Sequence, residues 1–381
     1  MARIGGNQTP RVPLLAFHRI ASGEAFGVGG MVDVELTPAG DAITSSVPGK
    51  GTWTGLWVRP GFAFEEVVPS WNADTPAGSL VEIGLQARAT DGLESGWYAL
   101  GRWTLDDAAF RRTSVAGQAD ELGAVDTDTF RAAAPLDAYR LRLTLSTAGR
   151  AAPTVRLVAA IASATTGSGE PASTPGNGVG IELSVPQYSQ SIHAGEYPEY
   201  DSGGASWCSP TSTAMVIAHW GTGPTPADYA WVRPEYADPF VDHAARFTYD
   251  HGYAGAGNWS FNTAYAAQFG LDAFVTRLRS LREAEAFLKA GIPLVASISA
   301  GPGELDGFQL PQGTAGHLVV IVGFTPEGDP IVNDPAAVSN AAVRRTYDRA
   351  QFERAWLGGS GGVVYVIRPP GVPLPPSEGN W

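Results

Sequence analysis

Cysteine is nearly absent from this chain. Cys208 is the only one in 381 residues, which excludes an internal disulfide framework. Lysine is scarce too: most of the 25 basic residues are arginine, and 38 acidic residues bring the formal net charge to −13. That sign excludes nucleic acid as the expected partner, because a phosphate backbone calls for a basic face. No lysine-rich patch is present to meet a membrane surface. No run of about 18 apolar residues occurs, so no membrane span is expected. The opening MARIGGNQTPRVPLLAFHRI lacks a basic stretch followed by a long apolar run, so no signal peptide is visible. The compartment stays open, with a secreted or cell-envelope site favoured over the cytoplasm.

What is present divides in two. At this length two domains are the default. Residues 163–180, SATTGSGEPASTPGNGVG, have a linker composition. They separate an accessory domain, 1–162, from a second domain, 181–370, with 371–381 as a tail.

The first domain reads as β. In SLVEIGLQARA (79–89), Val81, Ile83, Leu85 and Ala87 share one face and Glu82, Gln86 and Arg88 the other. YRLRLTLST (139–147) alternates through Leu141, Leu143 and Leu145, and TVRLVAAIA (154–162) is a third strand. Short alternating runs divided by turn signals, with no long amphipathic helix, predict a jelly-roll-like β-sandwich. Trp53, Trp57, Trp71, Trp97 and Trp103 fall here. Exposed, they would form a platform for a glycan or a protein; buried, they fill the sandwich core, the commoner place for tryptophan.

The second domain alternates helix and strand signals. TSTAMVIAHW and WSFNTAYAAQFG (259–270) have helical spacing. Ser280 and Glu283 make a capping-box pattern ahead of a helix closed by Gly291. IPLVASIS (292–299), HLVVIVGF (317–324), DPIVNDP (329–335), AVRRTYD (342–348) and GVVYVIR (362–368) read as strands, with a helix near 349–356. The fold class is therefore α+β, a helical first half followed by an antiparallel sheet.

The lone cysteine sits in GGASWCSPTSTAMVIAHWG (203–221). Pro210 suits the first turn of a helix, which places Cys208 at the helix N-terminus, where the dipole favours a thiolate. A thiolate is a nucleophile, although a single cysteine is commonly a small packing residue. A nucleophile needs a base and a group to orient it. His317 opens an otherwise apolar strand. Asp334 follows seventeen residues on, and a strand, turn and return strand of that length can set it beside His317. Singly, these are a strand-end histidine and a turn-capping aspartate; with a helix-start cysteine they read as nucleophile, base and orienter.

In order, LSVPQYSQ (183–190), WCSPTSTAMVIAHWG, GHLVVIVGF and IVNDP resemble the papain-like cysteine peptidases of family 39 and their wider relatives. The resemblance covers residues 183–367 and not the first domain. It implies a papain-like fold with Cys208, His317 and Asp334 as nucleophile, base and orienting acid. It also implies that Gln190 donates to the oxyanion beside the Cys208 amide, with Gln187 as the competing choice. Two departures stand out: Ser209 replaces the glycine that more often follows the cysteine, and the segment from Gln190 to Cys208 is long. The arginine-rich composition is similar to that of two-domain chains from actinobacteria.

The expected activity is thiol-dependent acyl transfer, foremost peptide-bond hydrolysis, with amidase or transamidase chemistry sharing the same triad. A different class is a papain-like module that only binds, with the β-domain on cell-wall glycan or a protein. In VDHAARFTYDHGYAGAGNWSFN, the pairs Asp242–His243 and Asp250–His251 invite a zinc hydrolase, but the eight-residue spacing of the histidines is not a zinc helix motif. Neither metal nor cofactor is expected. Asn258 and Trp259 in the glycine-rich loop, together with Trp207 and Gly316, are candidate substrate contacts.

Overall fold

The computed structural model describes residues 11–149, 151–169 and 172–381. The first domain is all β, two antiparallel sheets face to face. The eight-stranded sheet runs Val34–Leu36, Ile43–Ser45, Thr154–Gly169, Phe64–Asp74, Thr129–Leu136, Gly123–Asp126, Ala119–Asp120, with Arg11–Ile20 also on Thr154–Gly169. The five-stranded sheet runs Gly30–Val32, Lys50–Thr54, Ala138–Thr147, Ser79–Arg88, Tyr98–Trp103. The two alternating sequences pair in the register Leu141↔Leu85, Leu143↔Ile83, Leu145↔Val81. Their apolar faces therefore coincide, and all six side chains are buried. Phe64 meets Tyr139 at 5.6 Å and Tyr98 meets Phe130 at 5.0 Å between ring centroids, joining the sheets. Trp53, Trp71 and Trp103 are buried in this core. Trp57 and Trp97 are half-buried and lie under the guanidinium groups of Arg88, Arg140 and Arg142, at 4.2–5.4 Å.

The stretch read as linker is part of the fold. Residues 163–169 continue the strand Thr154–Gly169, because Arg11–Ile20 pairs along it. Residues 172–180 lie on the second domain, where the Gly176 and Gly178 amides donate to the Glu285 carboxylate and Ser173 binds Glu353. A Cβ on Gly176 would stand 2.5 Å from the Glu285 carboxylate, so this glycine permits close approach rather than flexibility. The tail is packed as well: Asn380 is buried, Trp381 meets Phe287 at 4.8 Å, and the Gly379 carbonyl accepts from the Phe17 amide.

The second domain is α+β. Its six-stranded antiparallel sheet has the order Asp272–Arg277, Val363–Arg368, Leu294–Ala300, Thr314–Phe324, Pro330–Asn333, Arg344–Thr346. Helices Cys208–His219, Pro239–Thr248, Trp259–Ala266, Leu281–Lys289 and Arg349–Ser360 surround it. The Ser280 hydroxyl makes no cap. Glu283, the other half of the expected box, binds Arg279 and Asn380 instead. No helix among the described residues is long and apolar enough to cross a membrane.

The two domains share one hydrophobic core. Phe261, near the start of its helix, reaches Trp71 at 5.9 Å and Trp103 at 5.6 Å in the sandwich. Gly101 makes room for it, since a Cβ there would lie 2.9 Å from Trp71 and 3.1 Å from Phe261. The Asn72 side chain donates to the Ala273 carbonyl (2.6 Å) and accepts from its amide (3.2 Å). It thereby occupies the edge strand of the second sheet, whose unpaired groups would otherwise be open.

Candidate active site

Cys208 is the first residue of its helix, with buried Trp207 before it. One turn on, the Ser212 hydroxyl donates to the Leu318 carbonyl (3.1 Å), fixing the helix against the strand that carries His317. The Ser209 hydroxyl bonds the Tyr365 hydroxyl at 2.9 Å. A serine after the cysteine therefore has a defined place in the core.

His317 lies on Thr314–Phe324, opposite Ile298. The hairpin to Pro330–Asn333 pairs Val320 with Asn333 and delivers Asp334 just beyond the strand. His317 Nε2 is 2.7 Å from Asp334 Oδ1. Asp334 Oδ2 accepts from the Tyr347 hydroxyl (2.8 Å), and Oδ1 also accepts from the Ala336 amide (3.0 Å). Burial alone would lower the His317 pKa; against it, the charge and hydrogen bond of Asp334, then the hydrogen bond and charge of Cys208, raise it to about 10. Burial would raise Asp334, but the imidazolium and the three hydrogen bonds hold it below the ordinary carboxylate range. The imidazole thus faces Asp334 with one nitrogen and has Cys208 as its other partner, an arrangement that stores a proton beside the thiol.

Gln190 returns to Cys208 because its loop is tied down at both ends. Its amide donates to the Pro335 carbonyl (2.8 Å), Ser191 Oγ to the Ala336 carbonyl (3.0 Å), and Ser189 hydrogen-bonds Ala337 and Asn340. Gln190 Nε2 donates to the Ala205 carbonyl (2.9 Å), three residues before Cys208, while Oε1 is buried without a partner. Gln187 is spent elsewhere, accepting from the Arg344 amide, so of the two glutamines only Gln190 reaches the cleft.

That cleft has a volume of about 1030 Å³ and is lined by Gln190, Cys208, Asn258, Trp259, Gly316 and His317. Four expected contacts separate here. Trp259 is half-buried and Gly316 exposed, and both can meet a ligand. Asn258 is 1% exposed and caps its helix, accepting from the Phe261 amide and donating to Asp250. Trp207 is 0% exposed, its indole donating to the Tyr200 carbonyl, so it supports the loop and does not touch substrate. The nearby glycines likewise admit the chain itself: a Cβ on Gly204 would fall 2.3 Å from the Gln190 carbonyl.

The two Asp–His pairs do not converge. His243 bonds Tyr265, Asp250 accepts from the amides of Ser114, Gly252 and Tyr253, and His251 faces Asp107 at 3.3 Å. Among the described residues, the donors that gather are His193, Glu196 and Asp242, all buried. His193 Nδ1 lies 2.7 Å from Glu196 and 3.5 Å from Asp242. Burial would lower the imidazole, but both carboxylates raise it. The donor set is one that zinc or manganese accepts. The cluster equally serves to tie the Gln190 loop to Pro239–Thr248 through the contacts of His193 with both carboxylates, and none of its members lines the cleft.

The other wall of the cleft was not expected. Glu65, Glu66, Asp126, Asp128 and Arg131 of the sandwich line it. Asp128 accepts from the Trp259 amide at 2.7 Å. Burial, opposed by that hydrogen bond and others, raises its pKa to about 6. No local pattern marks these residues, because they reach the site only through the packing of one domain on the other.

Residues 31–163 match a family described as the Peptidase C39 N-terminal domain, and residues 182–362 match the Peptidase C39 like family. No curated protein matches the chain. Among solved structures, a family 6 carbohydrate-binding module is 14% identical over 38% of this chain and 92% of its own, with a TM-score of 0.20. A family two carbohydrate esterase from Cellvibrio japonicus is 9% identical over 53% and 50%, also at 0.20.

Proposed function

We propose that this chain, whose residues 182–362 match the Peptidase C39 like family and whose residues 31–163 match the Peptidase C39 N-terminal domain, is a cysteine peptidase acting through Cys208, His317 and Asp334. The observation that carries this reading is the 2.7 Å contact of His317 Nε2 with Asp334, on an imidazole whose other partner is the helix-start Cys208.

The thiolate attacks the scissile carbonyl carbon and the carbonyl electrons move to oxygen. The Cys208 amide and the second N–H of Gln190 Nε2 are the donors available to that oxyanion. Collapse expels the amine, which takes the proton from the His317 imidazolium. The thioester then meets water, which His317 deprotonates as it attacks, and the thiolate is released with the acid product. Asp334 keeps Nε2 protonated and stabilises the imidazolium throughout. Another amine in place of water would give transamidation by the same steps.

The test is iodoacetamide labelling of Cys208 against pH in the wild type and His317→Ala, with turnover of a peptide library. Fast labelling at pH 6 that is lost in the variant, with cleavage of peptides, is the expected result. A Cys208 that labels only on unfolding would sink the peptidase reading and leave a binding module.

A further inference from the structure

The sandwich is fused to the second domain through a common core and forms one wall of the cleft that holds Cys208. The charges on that cleft are uneven. Four carboxylates on it, Glu66, Asp126, Asp128 and Asp201, stand against two guanidinium groups, Arg131 and Arg277. Both guanidiniums are already held by the wall itself: Arg277 lies 2.6 Å from Glu66, Arg131 also binds Glu66, and Arg131 stands 3.7 Å from Asp126. The Cys208–His317 pair adds no net charge when it is thiolate and imidazolium. Among the described residues, the cleft therefore presents surplus negative charge.

Two of the acids that share the cleft lining with Cys208 carry no cation of their own among the described residues, Asp128 on the sandwich and Asp201 in the loop before the cysteine helix. Each sits at a costly piece of backbone. Thr127, immediately before Asp128, has φ 55, and Asp201 and Ser202 have φ 63 and 65, a region that residues with a Cβ rarely enter. Asp128 is also 5% exposed, and burying a carboxylate is unfavourable unless a cation meets it. A separate feature of the cleft points to a peptide. Gln190, 5% exposed, lines it with Oε1 buried and unpaired, an acceptor that a peptide N–H would satisfy.

We propose that the sandwich domain is the specificity wall of this site, and that the peptide it receives carries a lysine or arginine side chain near the scissile bond, paired with Asp128 and Asp201. Asp126, whose side chain is 73% exposed, lies on the same wall and draws cationic peptides inward. This inference rests on the peptidase reading for the cut, but not for the binding preference.

The experiment uses a synthetic octapeptide library with Lys, Arg, Gln and Glu equally represented. The full chain, immobilised as Cys208→Ala, reports which peptides are retained; the wild type reports which are cut. Lysine and arginine should be enriched about tenfold over glutamine in both, a factor equivalent to about 1.4 kcal/mol. The enrichment should weaken as salt is raised. In Asp128→Asn with Asp201→Asn it should fall to within about twofold, and Asp201→Asn alone should give an intermediate value if the double variant folds poorly. Retention without cationic preference, preference for glutamate, or no retention would each overturn the inference. If peptides are cut without that preference, the peptidase reading stands and the wall assignment falls. If cationic peptides are retained while Cys208 is inert, the wall stands and the peptidase reading falls.

Discussion

Asp334→Asn removes a charge while nearly preserving shape, and the structure says what that charge does. His317 is 2% exposed, and burial on its own drives the imidazole toward the neutral form. Its pKa of about 10 is owed first to the Asp334 charge and the 2.7 Å hydrogen bond. Without the charge, the imidazole should fall to its ordinary value of 6.5 or below. At 1.36 kcal/mol per unit, the imidazolium loses roughly 4–5 kcal/mol. By comparison with serine triads deprived of their aspartate, turnover should drop on the order of 10³–10⁴. The assay is the rate of Cys208 alkylation from pH 5 to 10.5 in both proteins. The break in the profile that reports loss of the imidazolium should move down by about three pH units in the variant. The same proton appears in stability. Folded His317 keeps it to about pH 10, whereas the unfolded chain releases it near 6.5, so the folded state binds more protons between these values. The contribution is complete below pH 6.5 and is lost as pH rises toward 10. Measured in a Cys208→Ala background, which removes the thiol's own titration, that decline should be present with Asp334 and absent once Asp334→Asn is added. An alkylation break at the same pH in both proteins would refute the pairing.

Gln190→Ala should lower kcat on the order of 10²–10³, as loss of one oxyanion donor does; steady-state kinetics check it, and equal loss in Gln187→Ala would count against the assignment. Asp128→Asn should raise stability at pH 7 by up to roughly 3 kcal/mol, because the folded-state pKa of about 6 lies above the ordinary value of 3.8. The native protein therefore loses stability as pH rises from about 4 to 6, and denaturant melts should find that slope gone in the variant. Phe261→Ala should cost about 3–5 kcal/mol and lower the unfolding of both domains together; two separate calorimetric transitions, with only the second shifted, would show that the shared core does not couple them.

How legible the site was depended on how local each relation is. Pro210 announced the start of the cysteine helix, Gly316 and His317 the mouth of an apolar strand, and hairpin length the approach of Asp334. Each of these relations spans a short stretch of chain. Tyr347, which bonds the far oxygen of Asp334, gave no such sign, since an interior tyrosine looks the same whether or not its hydroxyl has a role. Trp207 misled for a related reason: adjacency to the cysteine suggested contact with substrate, but a side chain just before a helix start can point into the core. The glycines of residues 172–180 read as flexibility and are instead the spaces through which backbone amides reach Glu285. Ser280 had the right neighbours for a capping box, and Glu283 was drawn away by Arg279 and by Asn380 from the far end of the chain.

The acidic wall was the least legible feature because it belongs to neither domain's own pattern. A β-turn ending in Asp128 and a helix beginning at Trp259 are each ordinary alone; the 2.7 Å hydrogen bond between them makes them one surface. Phe261, two residues further along that helix, is also the residue that enters the sandwich core. The contact that fuses the domains and the contact that shapes the cleft are thus one turn of helix. A change in how the sandwich seats on this helix would move Asp128, Trp259 and the cleft wall together, while Cys208, His317 and Asp334, carried by the cysteine helix and the second sheet, would keep their mutual geometry. On the proposed reading, the triad and the selecting wall are carried by separate parts of the architecture, so selection could vary on the sandwich without disturbing the triad.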